Sequence, residues 1–164
     1  MKVGEIMIIQ DLQYCTPETF LRDAAAIMKT AGVSALPVVD AERQVIGIVT
    51  DRDIDKLPVQ KQAPERIRDI VAHKAVTVSA GDELTFALRQ MRAVRIARLP
   101  VVDGEGRLEG ILCIHHLLAE SAGNRKVLGG LSLIAGEILK TVTMLSNKYT
   151  GHNSLARMQK KRKE

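Results

Sequence analysis

The chain contains its own copy. SALPVVDAERQVIGIV, beginning at Ser34, recurs as ARLPVVDGEGRLEGIL, beginning at Ala97, a shift of 63 residues. The match runs without a gap from Thr16/Ser79 to Ile54/Leu117, and eleven of those 39 pairs are identical. They include Leu21/Leu84, Ala24/Ala87, Met28/Met91, the run Leu36 to Asp40 against Leu99 to Asp103, and Gly47-Ile48 against Gly110-Ile111. A match of this length marks a duplication, and one copy is the unit from which the fold must be built. Upstream, Gly4-Glu5-Ile6-Met7 resembles Arg68-Asp69-Ile70-Val71 at a shift of 64, so the first copy carries one extra residue between the two blocks.

Each copy reads in the same order. A short β segment (12–15 and 75–78) precedes a polar turn, TPET or SAGD, in which Thr16 and Ser79 are placed to cap a helix, with Thr19 or Asp82 in its first turn. Phe20, Ala24, Ile27, Met28 and Ala31 then give the spacing of an amphipathic helix, as do Leu84, Leu88, Met91 and Val94. LPVV follows, solidly apolar and so expected to be a buried strand. DAERQ and DGEGR have hairpin-turn chemistry. VIGIVT and LEGILC read as the next strand, and a short helix closes the unit. The fold class is α/β: duplicated βαββα units, each too small to stand alone, packed about a pseudo-twofold axis. Repeat 1 spans 3–57 and repeat 2 spans 67–120. Residues 58–66, with Pro58 and Pro64, are the linker.

Aliphatic residues must fill the core, since aromatics make up 2% of the 164 residues and Trp is absent. The same scarcity argues against stacking on single-stranded nucleic acid. The formal net charge of +5 is a tail property. Arg157 to Glu164 carry +4, leaving +1 for the other 156 residues, so 151–164 are expected to be a solvated basic tail. No apolar run is long enough to span a membrane, and the N-terminus meets an acid before an apolar stretch develops, unlike a secretory signal. Cys15 and Cys113 do not make a disulfide framework, and a cytoplasmic setting is expected. Between repeat and tail, 121–150 read as a helical extension. There Leu128, Leu131, Ala135, Ile138, Val142 and Leu145 form a heptad-like seam that would pack on its own module or cross to a second chain.

The xLPVVD strands and the ending Gly47-Ile48-Val49-Thr50-Asp51-Arg52-Asp53 resemble the CBS domain family, named after cystathionine β-synthase, over about residues 3–120. The resemblance implies a paired module, the Bateman module, with two clefts that often take AMP, ADP, ATP or S-adenosylmethionine. Asp53 would accept hydrogen bonds from ribose hydroxyls, as acids do in dinucleotide folds. Thr50 would cap the closing helix or donate to a phosphate beside free backbone N–H groups, and Gly47 would permit close approach. Ile48, Val76 and Val78 would line adenine, with the backbone around Thr77 reading its edge. Arg98 stands where family members place a phosphate-contacting arginine, and Arg52 adds a second guanidinium. T-D-R-D before a helix is also an ordinary cap.

The second cleft departs from the pattern. Cys113 and His116 replace the threonine and the acid, and Ser34-Ala35 faces them without an arginine. Without the acid, ribose loses its strong acceptor, so a degenerate cleft is expected there. Cys113, His115 and His116 lack the spacing of a zinc site, and no metal site is expected. No nucleophile–base constellation and no P-loop appear, and there is no room for a catalytic barrel, so no enzyme and no required cofactor are expected. The reading is a regulatory sensor for an adenosine nucleotide, with S-adenosylmethionine as the alternative ligand, a homodimer, and an effector protein the sequence does not name. Its rivals are a ligand-free dimerisation scaffold and a nucleic-acid-associated regulator using the basic tail.

Overall fold

A computed structural model describes residues 1–56, 65–71, 75–123, 129, 132 and 134–146. Repeat 1 contains helix α1 (Leu21–Ala31), strands β1 (Ala35–Val39) and β2 (Val45–Thr50), and helix α2 (Asp51–Asp55). Repeat 2 contains β3 (Val78–Ser79), α3 (Leu84–Val94), β4 (Arg98–Val102), β5 (Leu108–Cys113) and α4 (Ile114–Gly123). Residues 135–146 form a further helix, α5. Short 3-10 turns, Val3–Glu5 and Ile67–Asp69, open the repeats.

The sheets follow the duplication. β1 and β2 pair antiparallel, as do β4 and β5, each with a register shift between the two valines of LPVV. β3 adds a parallel strand to β4. Its counterpart in repeat 1 is one bridge, Cys15 to Val38, in place of the expected strand over 12–15. Pro17, at the position of Ala80, has no N–H with which to carry that ladder on.

Both helices start later than Thr16 and Ser79 imply. The N-cap residues are Phe20 and Glu83, and neither side chain caps. Thr19 Oγ1 accepts from Thr16 N at 3.0 Å and Asp82 Oδ2 accepts from Ser79 N at 2.8 Å, so these polar residues close a turn ahead of the helix. Leu21, Ala24 and Met28 bury the inner face of α1, while Ala31 is exposed and Phe20 only half-buried. On α3, Leu84, Ala87, Leu88 and Met91 are buried, while Val94 is 38% exposed.

The leading turns cross over. Val3 N donates to Asp82 O and Gly4 N to Ala80 O, and Val3 is fully buried in the core of repeat 2. Reciprocally, Leu21 N donates to Glu65 O and Ile67 N to Thr19 O, and Ile67 is fully buried in the core of repeat 1. The last linker residues, Glu65 and Arg66, are therefore docked on the other repeat. Arg66 spans Glu18 and the Phe20 ring, its guanidinium 4.3 Å from the ring centroid. Gly110 is required by the same arrangement, because a Cβ there would sit 2.9 Å from Ile8 O.

The two hairpins meet along the pseudo-twofold. Val45 N donates to Gly106 O and Leu108 N to Arg43 O, and Val39, Leu108 and Ile111 form a small shared core. Each turn is held by an aspartate: Asp40 Oδ1 accepts from Glu42 N and Gln44 N, and Asp103 Oδ1 from Glu105 N and Arg107 N.

α5 packs on its own module. Ile138, Thr141 and Leu145 are buried against repeat 2, with Ile134 and Val142 beside them. Arg92 of α3 donates to Glu137 Oε2 at 2.7 Å and to Thr141 Oγ1 at 2.9 Å. Ala135 of the expected seam is exposed, while Leu128, Leu131 and the basic tail lie outside the described residues.

Candidate functional site

Glycine-containing β2 delivers Ile48 and Thr50 to the junction with α2, where the chain turns into a helix of five residues. Thr50 is its N-cap. Asp53 N donates to Thr50 Oγ1 at 3.3 Å, while Thr50 N and Thr50 Oγ1 donate to Asp53 Oδ2 at 2.9 and 2.7 Å. This reciprocal box fixes the carboxylate of Asp53 on the surface and leaves Oδ1 without a protein donor among the described residues.

The backbone N–H groups expected to face an anion are already satisfied. Asp51 N donates to Ser34 O at 3.0 Å, Arg52 N to Asp51 Oδ1 at 2.8 Å, and Asp53 N to Thr50 Oγ1. Positive charge for a ligand must come from side chains. Thr50, Arg52 and Arg98 line one concavity of about 50 Å³ with Ser34, Asp51 and Arg95, although Thr50 belongs to repeat 1 and Arg98 to repeat 2. Arg98 is half-buried at the start of β4, opposite Cys113, and pairs with no carboxylate among the described residues. Val76 and Thr77 are half-buried on the segment entering β3. Val78 is 3% exposed and belongs to the core of repeat 2, so only its backbone can meet a ligand.

A larger cavity of about 320 Å³ lies on the other side of Arg98. Ile111, Ala35, Pro37, Ile48 and Pro100 form its apolar wall, and Asp11 and Gln13 add polar groups. Its wall takes Ile48 and Arg98, expected in the first cleft, together with Ala35 and Ile111 of the second, so one cavity is shared between the two. Cys113 is buried and is not on its wall, and His116 is half-buried on α4. Sequence reasoning missed Asp11 and Gln13 because they precede the ungapped part of the repeat, and Gln13 shares no residue type with Val76, which stands opposite it when 12–15 is set against 75–78. The positive φ of Asp11, 50°, is not legible in a sequence either.

Burial pushes the Cys15 thiol up to about 12, so Cys15 is a packed neutral side chain rather than a nucleophile. Among the described residues no group of three or more His, Cys, Asp or Glu is arranged to hold a metal ion, and no helix is long and apolar enough to cross a membrane.

The CBS domain model matches residues 3–59 and 67–123. The chain is 32% identical over 118 residues to inosine-5'-monophosphate dehydrogenase of Methanocaldococcus jannaschii, covering 72% of this chain but 23% of that enzyme. It is 33% identical over 137 residues to Bacillus subtilis YlbB, covering 82% of this chain and 91% of that protein. Among solved structures it is similar to CBSX2, a CBS-pair protein of Arabidopsis thaliana, in complex with AMP: TM-score 0.64, 27% identity, 74% of this chain and 96% of that one. A putative signal-transduction protein with CBS domains from Burkholderia ambifaria matches with TM-score 0.58 and 29% identity, over 71% and 86% of the two chains. Two tandem matches on the two halves of an internal duplication, in the same fold, leave one conclusion: the chain belongs to the CBS domain family, as a CBS pair.

Proposed function

We propose that this CBS pair is a regulatory module that binds an adenosine-containing ligand between its repeats. The ligand then biases conformation or association, and an effector protein reads the change. The observation that carries this reading is that Thr50 and Arg52 share one concavity with Arg98 of the other repeat. In this reading Asp53 Oδ1 accepts from ribose, Ile48 and Val76 flank the base, and Arg98 meets phosphate. A ligand held by both repeats stabilises their docked arrangement, which is how binding becomes a signal. The AMP complex of CBSX2, at 27% identity, supports an adenosine compound as the ligand class. The dehydrogenase match covers 23% of that enzyme, which supports a regulatory module without catalysis of its own.

A thermal-shift panel of AMP, ADP, ATP and S-adenosylmethionine tests the proposal. Ligand at about 100 times its Kd adds about 2.7 kcal/mol to stability and raises the melting temperature. No shift with any of them at millimolar concentration refutes ligand sensing and favours a ligand-free dimerisation scaffold.

A further inference from the structure

We infer that the groove between α1 and α2 on repeat 1 docks one amphipathic helix of another protein, with a carboxylate of that helix meeting Lys29. The groove, of about 690 Å³, is lined by the apolar Ala25, Met28 and Ile54 and by the charged Lys29, Asp51 and Asp55. The duplication shows what such a groove holds. At the shift of 63, Ala25, Met28, Lys29 and Ile54 correspond to Leu88, Met91, Arg92 and Leu117. On repeat 2 these positions lie under a helix. Leu88, Met91 and Leu117 are fully buried in one cluster with Ile138 and Leu145 of α5, and Arg92 donates to Glu137 Oε2 at 2.7 Å. On repeat 1, Ala25 and Ile54 are only half-buried, Lys29 is exposed, and the groove stands open among the described residues. Ala25 in place of Leu88 leaves room for a larger apolar side chain from the incoming helix.

Charge says which helix fits. Lys29 pairs with no carboxylate among the described residues, whereas Arg92 at the equivalent position does. Lys29 stands on α1, and Asp51 and Asp55 stand on α2. A helix laid between them buries an apolar stripe and turns an acidic edge to α1. A second copy's α5 is a poor occupant. Its apolar stripe, Ile138, Thr141 and Leu145, is already buried on its own repeat 2, and the face left outward carries Leu139, 67% exposed, and the exposed Lys140. That face would set lysine against Lys29. Ser34, Asp51, Ala97 and Arg98 line both this groove and the concavity at Thr50. A helix docked here therefore adjoins the proposed ligand site. Its role as the effector's docking element rests on the adenosine reading, but docking itself does not.

Amide NMR titration of the full chain, free of nucleotide, with a synthetic peptide of residues 134–146 tests the docking. That peptide stands in for the partner helix because it carries an apolar stripe and the acid Glu137. Shifts are expected at Ala25, Lys29 and Ile54. Lys29→Glu, at an exposed position, should leave the melting temperature unchanged and weaken peptide binding about fivefold. A peptide with Glu137→Lys should reverse the order and bind Lys29→Glu more tightly than wild type. Failure to reverse the order overturns the proposal, as does an absence of shifts at about millimolar peptide. Shifts confined to α3 and α5, where the peptide would compete with α5 for Arg92, overturn it as well. Groove shifts on dilution of wild type without peptide, lost in Lys29→Glu, would show a second copy in the groove and overturn a partner of another kind. Thermal shift by adenosine compounds is measured without peptide, so the docking and the ligand reading fail independently.

Discussion

Asp53 is held by Thr50 through a single oxygen, Oδ2, at 2.9 and 2.7 Å, which presents Oδ1 outward before any ligand arrives. The same box caps α2, so Thr50 serves the fold as well as the proposed site. Thr50→Ala is expected to cost about 1 kcal/mol of ligand-free stability, the usual loss of a threonine cap, and Thr50→Ser to restore most of it. Equal urea midpoints for wild type and Thr50→Ala would show that the box does not stabilise α2. Asp103 has its partners mainly in the backbone. The N–H of Arg107, then that of Glu105, and the Arg107 guanidinium hold its carboxyl below the ordinary aspartate value of 3.8. A carboxyl lowered in the native state contributes stability that is complete above its unfolded value and is lost as pH falls through its native one. Denaturant midpoints followed downward from about pH 5 should therefore fall more steeply in wild type than in Asp103→Asn. Identical acid limbs would remove Asp103 from the account.

At the scale of elements, α5 depends on one buried stripe. Ile138 is 7% exposed and Leu139 is 67% exposed, one residue apart on the same helix. Ile138→Ala should cost about 2–5 kcal/mol and Leu139→Ala less than about 0.5 kcal/mol. Similar losses from both would mean that α5 buries a different face, as a helix pairing with a second chain through Leu139 would. Much of this level was legible in the sequence. LPVV announced two buried strands, the hairpin turns were marked by their aspartates and glycines, and Met28 and Met91 lie on the buried faces of helices with the expected period. Three features were hidden for physical reasons. Thr16 and Ser79 have cap chemistry, but their turns close one step before the helix. Cys15 pairs for one bridge only, because Pro17 ends the ladder. Thr141 is polar and so escapes an apolar count, yet Arg92 satisfies it and lets it be buried at the centre of the α5 contact. At the candidate site, Thr50 and Arg98 line one concavity, while Asp53, named with them from the sequence, is not on its wall. The closure of the backbone donors and the place of Arg95 required coordinates, since neither hydrogen-bond partners nor a left-handed φ at arginine follows from the residue pattern.

For the whole molecule, the crossing of the leading turns matters most. Each repeat completes its core with a residue from outside its own βαββα unit: Ile67 in the core of repeat 1, Val3 in that of repeat 2. Repeats built this way cannot separate without opening both cores, so a ligand bridging them acts on one cooperative body. Ile67→Ala should destabilise the protein by about 2–5 kcal/mol and release amide protection first in α1, which lies before it in sequence, rather than in α3. Early exchange in α3 would contradict the crossing. Binding of an adenosine nucleotide on one side of the pair is tested by titrating ATP calorimetrically into wild type, Asp53→Ala and His116→Ala. About one site per chain, loss of most binding in Asp53→Ala, and little change in His116→Ala are expected. Two equal sites per chain, each removed by one of the two substitutions, would contradict it.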